Sequence, residues 1–234
     1  MKKGKIKSFL LDLFFPKFCL NCQREGSFLC EDCKAILDIS SSHQKFQTGN
    51  LSDLYYPLEY KNPLIKNLIK HFKYEPFIKE LAKDLTSLII NHFQLLDKKP
   101  SFLKKNPNYV LVPVPLEKRK LKWRGFNQSE EIGKEISKFL NIPLINDILF
   151  KIKETLPQVE LSEKEREENI KGVFIIRNRK KISGKKILLV DDVYTTGSTM
   201  KECAQLLKKA GAKEVIGIVI ARAAPGQDQF KNVQ

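Results

Sequence analysis

Asp191 and Asp192 follow the apolar run Ile187-Leu188-Leu189-Val190 and stand just before Thr195, Thr196, Gly197, Ser198 and Thr199. Hydroxyl side chains around a glycine, leading into a helix, offer short polar groups, a backbone that can be approached closely and the unpaired N–H groups of a helix N-terminus. That set suits a phosphate monoester. Two carboxylates would repel the same phosphate, so they face another part of the ligand, such as sugar hydroxyls. A phosphate beside a diol describes ribose 5-phosphate. The Walker B strand of a nucleotide hydrolase also ends in acids, but it needs a G-x-x-x-x-G-K-[ST] loop, which this sequence lacks. An ordinary helix cap needs one acid, not a pair followed by a hydroxyl loop.

A second constellation lies near the start. Cys19, Cys22, Cys30 and Cys33 read C-x2-C-x7-C-x2-C. Two close pairs, each forming a knuckle, can close four sulfurs around one tetrahedral zinc ion. A stretch this short cannot build its own core, so the metal supplies its folding energy. All four positions are cysteine, which leaves no open position for water and makes the zinc structural.

Regular elements must hold these groups. The four apolar residues before Asp191 predict a strand buried on both faces, as in a parallel sheet. Met200, Cys203, Ala204 and Leu207 share one helix face, Gly211 suits a helix C-terminus, and residues 215–220 form a second apolar strand. This is a βαβ unit with a right-handed crossover, and its ligand belongs beyond the carboxyl ends of the strands. Residues 109–114 predict another buried strand, stopped by Pro113 and Pro115. A basic loop follows, holding Lys118, Arg119, Lys120, Lys122 and Arg124 against one acid, Glu117. It suits pyrophosphate, or equally a nucleic-acid backbone with Trp123 and Phe126 as stacking surfaces. Asn127 and Glu130 cap a helix with Ile132, Ile136, Phe139 and Leu140 inward. A strand is expected over 145–152, then a charged insert in which Ser162 and Glu165 start a short helix. Residues 177–186 carry six basic side chains and no acid. They lead into the amino end of the strand before Asp191, away from the pocket. Earlier in the chain, Ile65, Leu68, Ile69 and Phe72 mark one helix, and Phe77, Leu81, Leu85, Leu88 and Ile89 a longer one. Residues 40–50 read as a linker.

With 234 residues the chain can bury one sizeable core plus a small accessory module. Its formal charge is +15, of which +5 falls in residues 1–100 and +10 in the rest. Such an excess favours phosphate-rich partners. Paired cysteines fit metal ligation in a reducing cytoplasm better than disulfides. The run Phe9-Leu10-Leu11-Asp12-Leu13-Phe14-Phe15 is short, is broken by Asp12 and has no small-residue cleavage site after it, so it reads as an amphipathic start and not a signal peptide. No stretch approaches the ~18 apolar residues of a membrane span.

The run around Asp191 resembles the phosphoribosyl pyrophosphate (PRPP) signature of type I phosphoribosyltransferases. With the cysteine pairs, Val112-Pro-Val-Pro115-Leu116, Arg124-Gly-Phe-Asn-Gln128, Gln158, and Arg166 with Asn169, all in order, the chain resembles the competence-associated ComF family. The resemblance implies an α/β type I phosphoribosyltransferase fold, a central mostly parallel sheet flanked by helices, with a small four-cysteine zinc module at residues 1–45. Residues 46–234 form the phosphoribosyltransferase-like domain, with a helical part at 60–97 and a PRPP-binding core at 109–222. Asp191 and Asp192 would hold the ribose hydroxyls and help place Mg²⁺-bound PRPP, and Thr195, Thr196, Gly197, Ser198 and Thr199 its 5-phosphate. Pro115, Leu116 and Arg124 complete the PRPP site. Arg119, with Lys153 and Arg166 from the family's catalytic loop, would stabilise the leaving pyrophosphate. Lys151 and Lys153 stand where relatives often carry arginine, and lysine cannot grip phosphate bidentately. The expected reaction transfers ribose 5-phosphate to a nitrogen acceptor that no motif identifies. The other reading is a catalytically silent PRPP sensor in DNA uptake, binding single-stranded DNA through Lys120, Lys122, Trp123 and Arg124 and working with DNA-uptake proteins.

Overall fold

The computed structural model describes residues 16–104, 108–153 and 172–223. The expectations placed on residues 9–15, on Gln158, Ser162, Glu165, Arg166 and Asn169, and on the tail after residue 223 lie outside these.

The sheet that carries Asp191 has five strands, β1 (Gln44–Lys45), β2 (Asp53–Tyr55), β4 (Tyr109–Pro113), β7 (Lys186–Val190) and β9 (Glu214–Ile218), in the order β1-β2-β9-β7-β4. All neighbours run parallel except β1, which pairs antiparallel with β2. Residues 44–45, expected as linker, therefore form the sheet's edge. Strand β7 lies second from the far edge and is covered on both sides. Ile187 and Leu189 join one core cluster, with Met200, Cys203, Ala204 and Leu207 of helix α6 (Ser198–Lys209). Leu188 and Val190 join the other, under helices α2 (Pro63–Lys73), α3 (Leu81–Leu95) and α5 (Gln128–Leu140). The period of two along a strand makes this division. Each such buried aliphatic side chain contributes about 1.5–3 kcal/mol of transfer free energy. Two smaller sheets flank the main one: β3 (Leu58–Glu59), β10 (Ala221–Arg222) and β8 (Val193–Tyr194), all parallel, and the antiparallel pair β5 (Leu149–Lys151) with β6 (Phe174–Ile176).

Local signals explain most element ends. Asn62 caps α2 by accepting bonds from the Leu64 and Ile65 N–H groups, and Pro63 stands in its first turn. Tyr74, two residues before Pro76, is extended and ends the helix. Phe77, expected inside the next helix, lies before it at φ +54° with its ring against Trp123. The basic run expected as a loop is helix α4 (Lys118–Arg124), closed by Gly125 at φ +81°. In α5, Ile132 and Ile136 are buried as expected, but Phe139 is 45% exposed beside the left-handed Asn141 that ends the helix.

The cysteine segment, with its single short helix α1 (Glu31–Ala35), packs into the same cluster as α2 and α3. Leu29, Cys33 and Leu37 are buried there beside Leu64, Leu68 and Leu81. Among the described residues no helix is long and apolar enough to cross a membrane.

His92 is an oddity of this core. It is fully buried on α3, its Nδ1–H donates to the Ser40 carbonyl at 2.6 Å, and its Nε2 has no partner among the described residues. Burial lowers its pKa, and His43 nearby lowers it further, against the opposing pull of the Ser40 carbonyl. The unfolded chain takes up a proton below about pH 6.5 that the folded ring refuses, so the stability tied to His92 is present above that pH and lost below it. His92→Asn keeps a donor for Ser40 and removes the titrating ring. Followed by thermal unfolding, its Tm deficit against the parent protein should shrink between about pH 7 and about pH 5. Parallel Tm curves would mean that the ring is not a source of acid sensitivity.

Candidate sugar-phosphate site and four-cysteine cluster

The acid pair is fixed by its backbone before its side chains matter. Asp191 N–H donates to the Ile218 carbonyl at 3.0 Å, and the Asp192 carbonyl accepts from Ile220 N–H at 2.9 Å. Both residues thus sit just past the carboxyl end of β7, held by the neighbouring β9 chain. Asp191 Oδ1 accepts two bonds, from Ser129 Oγ on α5 at 2.8 Å and from Asp192 N–H at 2.9 Å. Asp192 Oδ1 is paired with Lys73 Nζ, at the end of α2, at 2.8 Å. Burial, and then the charge of Asp192, push the Asp191 carboxyl up to about 7, against the pull of Lys73 and of its hydrogen bonds. Burial likewise works against the Lys73 charge, but the charge and hydrogen bond of Asp192, with smaller pulls from Tyr60 and Asp191, together outweigh it and leave the ammonium pKa raised. Arg124 turns inward from α4. It is half-buried, its Nε has no partner among the described residues, and burial depresses its pKa while Asp192 supports its charge.

Past the acids, β8 carries the chain to Thr195 and Thr196, and α6 starts at Ser198. Gly197 is its N-cap at φ +78° and offers no side chain to bond the first turn. Thr196 Oγ1 lies 2.8 Å from Ser198 Oγ, so the two hydroxyls face one place. A Cβ on Gly197 would come 2.1 Å from the Tyr194 hydroxyl, so this position requires glycine for space as well as for φ.

Pro115, Leu116, Arg119 and Lys153 meet elsewhere. They line one cavity of about 520 Å³ between β4, α4 and the β5–β6 pair. Lys151 and Arg177 line it too, and the Arg177 guanidinium lies 4.8 Å from the centre of the Phe150 ring, another lining residue. Residues 191–199 are not among its walls. The six-cation segment 177–186, expected wholly away from the pocket, therefore gives its first residue to this cavity, because β6 ends beside β5 and not at the amino end of β7.

Of the nucleic-acid candidates, Lys120 and Lys122 are exposed, and Trp123 is 57% exposed with Phe77 edge-on at 4.7 Å. Phe126, expected as a second stacking surface, is only 6% exposed and packs on Phe72. Arg166 lies outside the described residues. Lys73, Ser129 and Arg177 were not singled out by sequence. Ser129 alone carried a signal, as the second residue after a capping Asn127 that accepts from its N–H.

The cysteine sulfurs lie within 4.8 Å of one another, with Cys22 and Cys30 Sγ 3.5 Å apart. Burial would raise the Cys19 thiol, but N–H groups of Cys22, Cys30 and Asn21 aimed at it outweigh that and bring it down to about 6. Asn21 donates to Cys33 Sγ at 3.2 Å and pulls its pKa down, yet burial and the three neighbouring thiols push it up to about 12. Four sulfurs this close cannot all ionise without a cation among them. The donor set and spacing fit a tetrahedral zinc ion.

A family model described as the phosphoribosyl transferase domain matches residues 127–232. Competence protein F of Haemophilus influenzae is 31% identical over 210 residues, 89% of this chain and 86% of that one. The DNA utilization protein YhgH of Escherichia coli K12 is 29% identical, over 84% of this chain and 85% of its own length. Competence protein ComFC of Streptococcus pneumoniae is 31% identical, over 84% and 77%. Among solved structures, adenine phosphoribosyltransferase from Leishmania donovani is similar at a TM-score of 0.40 and 15% identity, over 82% of this chain and 93% of that one, a likeness too loose to carry an argument. The mostly parallel sheet, with an acid pair and hydroxyl loop past the carboxyl end of β7, and the matching family model define a protein of the phosphoribosyltransferase fold. Its four-cysteine module sits at the N-terminus. The chain belongs to the competence protein F (ComF) family.

Proposed function

We propose that this protein binds PRPP with Mg²⁺ and transfers its ribose 5-phosphate to a nitrogen acceptor. A new bond forms between the acceptor nitrogen and the anomeric carbon, the carbon–oxygen bond to pyrophosphate breaks, and pyrophosphate leaves with the electron pair. The observation that carries this reading is the acid pair at the end of β7, Asp192 buried and Asp191 half-buried, bonded to Ser129 and Lys73 and followed at once by the hydroxyl loop around Gly197. Asp191 and Asp192 accept hydrogen bonds from the ribose hydroxyls and help place the magnesium-bound ligand. Bound Mg²⁺ supplies charge neutralisation to the pyrophosphate. Thr195, Thr196, Ser198 and Thr199, with the first turn of α6, hold the 5-phosphate. Pro115, Leu116, Arg119 and Lys153 share a cavity with Arg177 and receive the leaving group there. Catalysis of this kind is positioning and electrostatic stabilisation. Calorimetry with PRPP and Mg²⁺, followed by assay of pyrophosphate release over a panel of nitrogen acceptors, tests it. No heat and no thermal shift at millimolar PRPP would sink it.

A second reading rests on α4. Its exposed Trp123 stands beside Lys120 and Lys122 on a chain of formal charge +15. Stacking and counterion release suit single-stranded DNA, and the names of the relatives point to competence and DNA utilization. In this reading the protein works in the cytoplasm beside DNA-uptake proteins, and the PRPP site serves as a sensor. Replacing Lys120, Lys122 and Trp123 together should weaken binding and flatten its salt dependence. Affinity that ignores salt would exclude the electrostatic account.

A further inference from the structure

Lys73 belongs to the helical part of the chain, yet its ammonium pairs with the acids, 2.8 Å from Asp192 Oδ1. It reaches there because α2 is anchored at several points. Leu64, Ile65, Leu68, Ile69 and Phe72 bury one face of the helix. On another side Asn67 Nδ2 donates to the Leu20 carbonyl at 3.0 Å, and Leu20 lies between Cys19 and Cys22 in the first cysteine knuckle. Lys73 is the last residue of α2, and the extended Tyr74 stops the helix there. One rigid element thus joins the sulfur cluster to the carboxylates.

Two adjacent buried carboxylates cannot both stay ionised without an opposing charge. The groups facing Asp192 are Lys73 from α2, Arg124 from α4 and Tyr60 after β3. Those facing Asp191 are Asp192, Lys73 and Ser129, with Lys151 from β5 and Cys203 from α6 at longer range. Only Lys73 makes a direct ion pair with the acids among the described residues.

We propose that Lys73 is a positioning residue of the sugar-phosphate site: its ion pair orients the Asp192 carboxylate beside Asp191, and α2 sets it in place from the four-cysteine module. The ligand half of this proposal rests on the PRPP reading; the electrostatic half does not. In Lys73→Met the folded acid pair would hold a proton that the unfolded chain releases above its ordinary carboxylate pKa. The variant must therefore lose stability as pH rises.

The test compares the full-length protein with Lys73→Met and Lys73→Arg by thermal unfolding between about pH 6 and about pH 8. The Tm deficit of Lys73→Met should widen toward the higher pH, and Lys73→Arg should recover most of it. A deficit that is the same at both values would show that Lys73 only fills space, and would overturn the proposal. Calorimetry with PRPP and Mg²⁺ over the same range forms the second arm. Lys73→Met should bind about tenfold more weakly, the scale of one lost charge-assisted contact. Its affinity should reach a plateau at higher pH than the parent protein's, while Lys73→Arg keeps the parent profile. An unchanged profile in Lys73→Met also overturns the proposal. If the parent protein binds no PRPP while the stability signature holds, the sugar-phosphate reading fails and the electrostatic role of Lys73 stands.

Discussion

Replacing Cys19 and Cys30 together by serine is expected to remove the bound metal and unfold the helical half of the protein with it. The cysteine segment has one five-residue helix, so a metal held by its four sulfurs would carry most of its order. Structural zinc contributes about 10–16 kcal/mol in small four-ligand modules. A whole domain is stable by only about 5–15 kcal/mol. Leu29, Cys33 and Leu37 share their core cluster with α2 and α3, so losing the segment bares Leu64 and Leu68 to water. Elemental analysis should find a metal-to-protein ratio near one for the parent protein and none for the variant, and circular dichroism should report a lower helix content. A native, metal-free parent protein, or a Cys19–Cys22 disulfide in a reduced preparation, would rule the zinc module out.

Gly197→Val is expected to abolish phosphate and PRPP binding together. The new Cβ meets Tyr194 at 2.1 Å from its hydroxyl and 2.2 Å from Cζ, and Tyr194 is 7% exposed, with Phe46 packed beside it. The ring has little room to yield. A branched side chain at φ +78° adds strain of about 1–3 kcal/mol, so the loop must change shape. Inorganic phosphate and PRPP with Mg²⁺ should each stop raising the Tm. The contrasting variant, Asp191→Asn with Asp192→Asn, should keep the phosphate-induced shift and lose the preference for the ribosylated ligand. If Gly197→Val still binds phosphate as the parent protein does, the loop is not the phosphate site.

The two ends of the proposed chemistry were legible for different reasons. Residues 187–190 could be read as a strand because a doubly covered strand needs an unbroken apolar run, and the following helix because Met200, Cys203, Ala204 and Leu207 repeat at its period. The four cysteines were legible because ligand spacing is local. What failed to show was tertiary. Lys73 is an ordinary basic residue at the end of a helix, and only the packing of α2 across the sheet brings it to Asp192. The run 118–124 has no apolar period to announce a helix, since α4 buries none of its residues, so its glycine stop had to be read without a preceding pattern. Phe126 looked like a stacking surface because it stood among cations, yet its ring faces Phe72 in the core. Arg177 was assigned by its neighbours in sequence, and the turn after β6 separates it from them.

The sheet order has a consequence for how the protein is made. Strand β2, at residues 53–55, leaves the ribosome early, but its parallel partner β9 lies at 214–218. During synthesis at about 5–20 residues per second, β2 waits on the order of ten to thirty seconds with one side unpaired. The nascent chain in that interval displays Leu54 and the apolar faces of α2 and α3 before the strands that cover them exist. Ribosome-bound fragments ending before residue 214 should therefore be protease-sensitive and lean on chaperones. Release of the last strand would then close the sheet in one late, cooperative step.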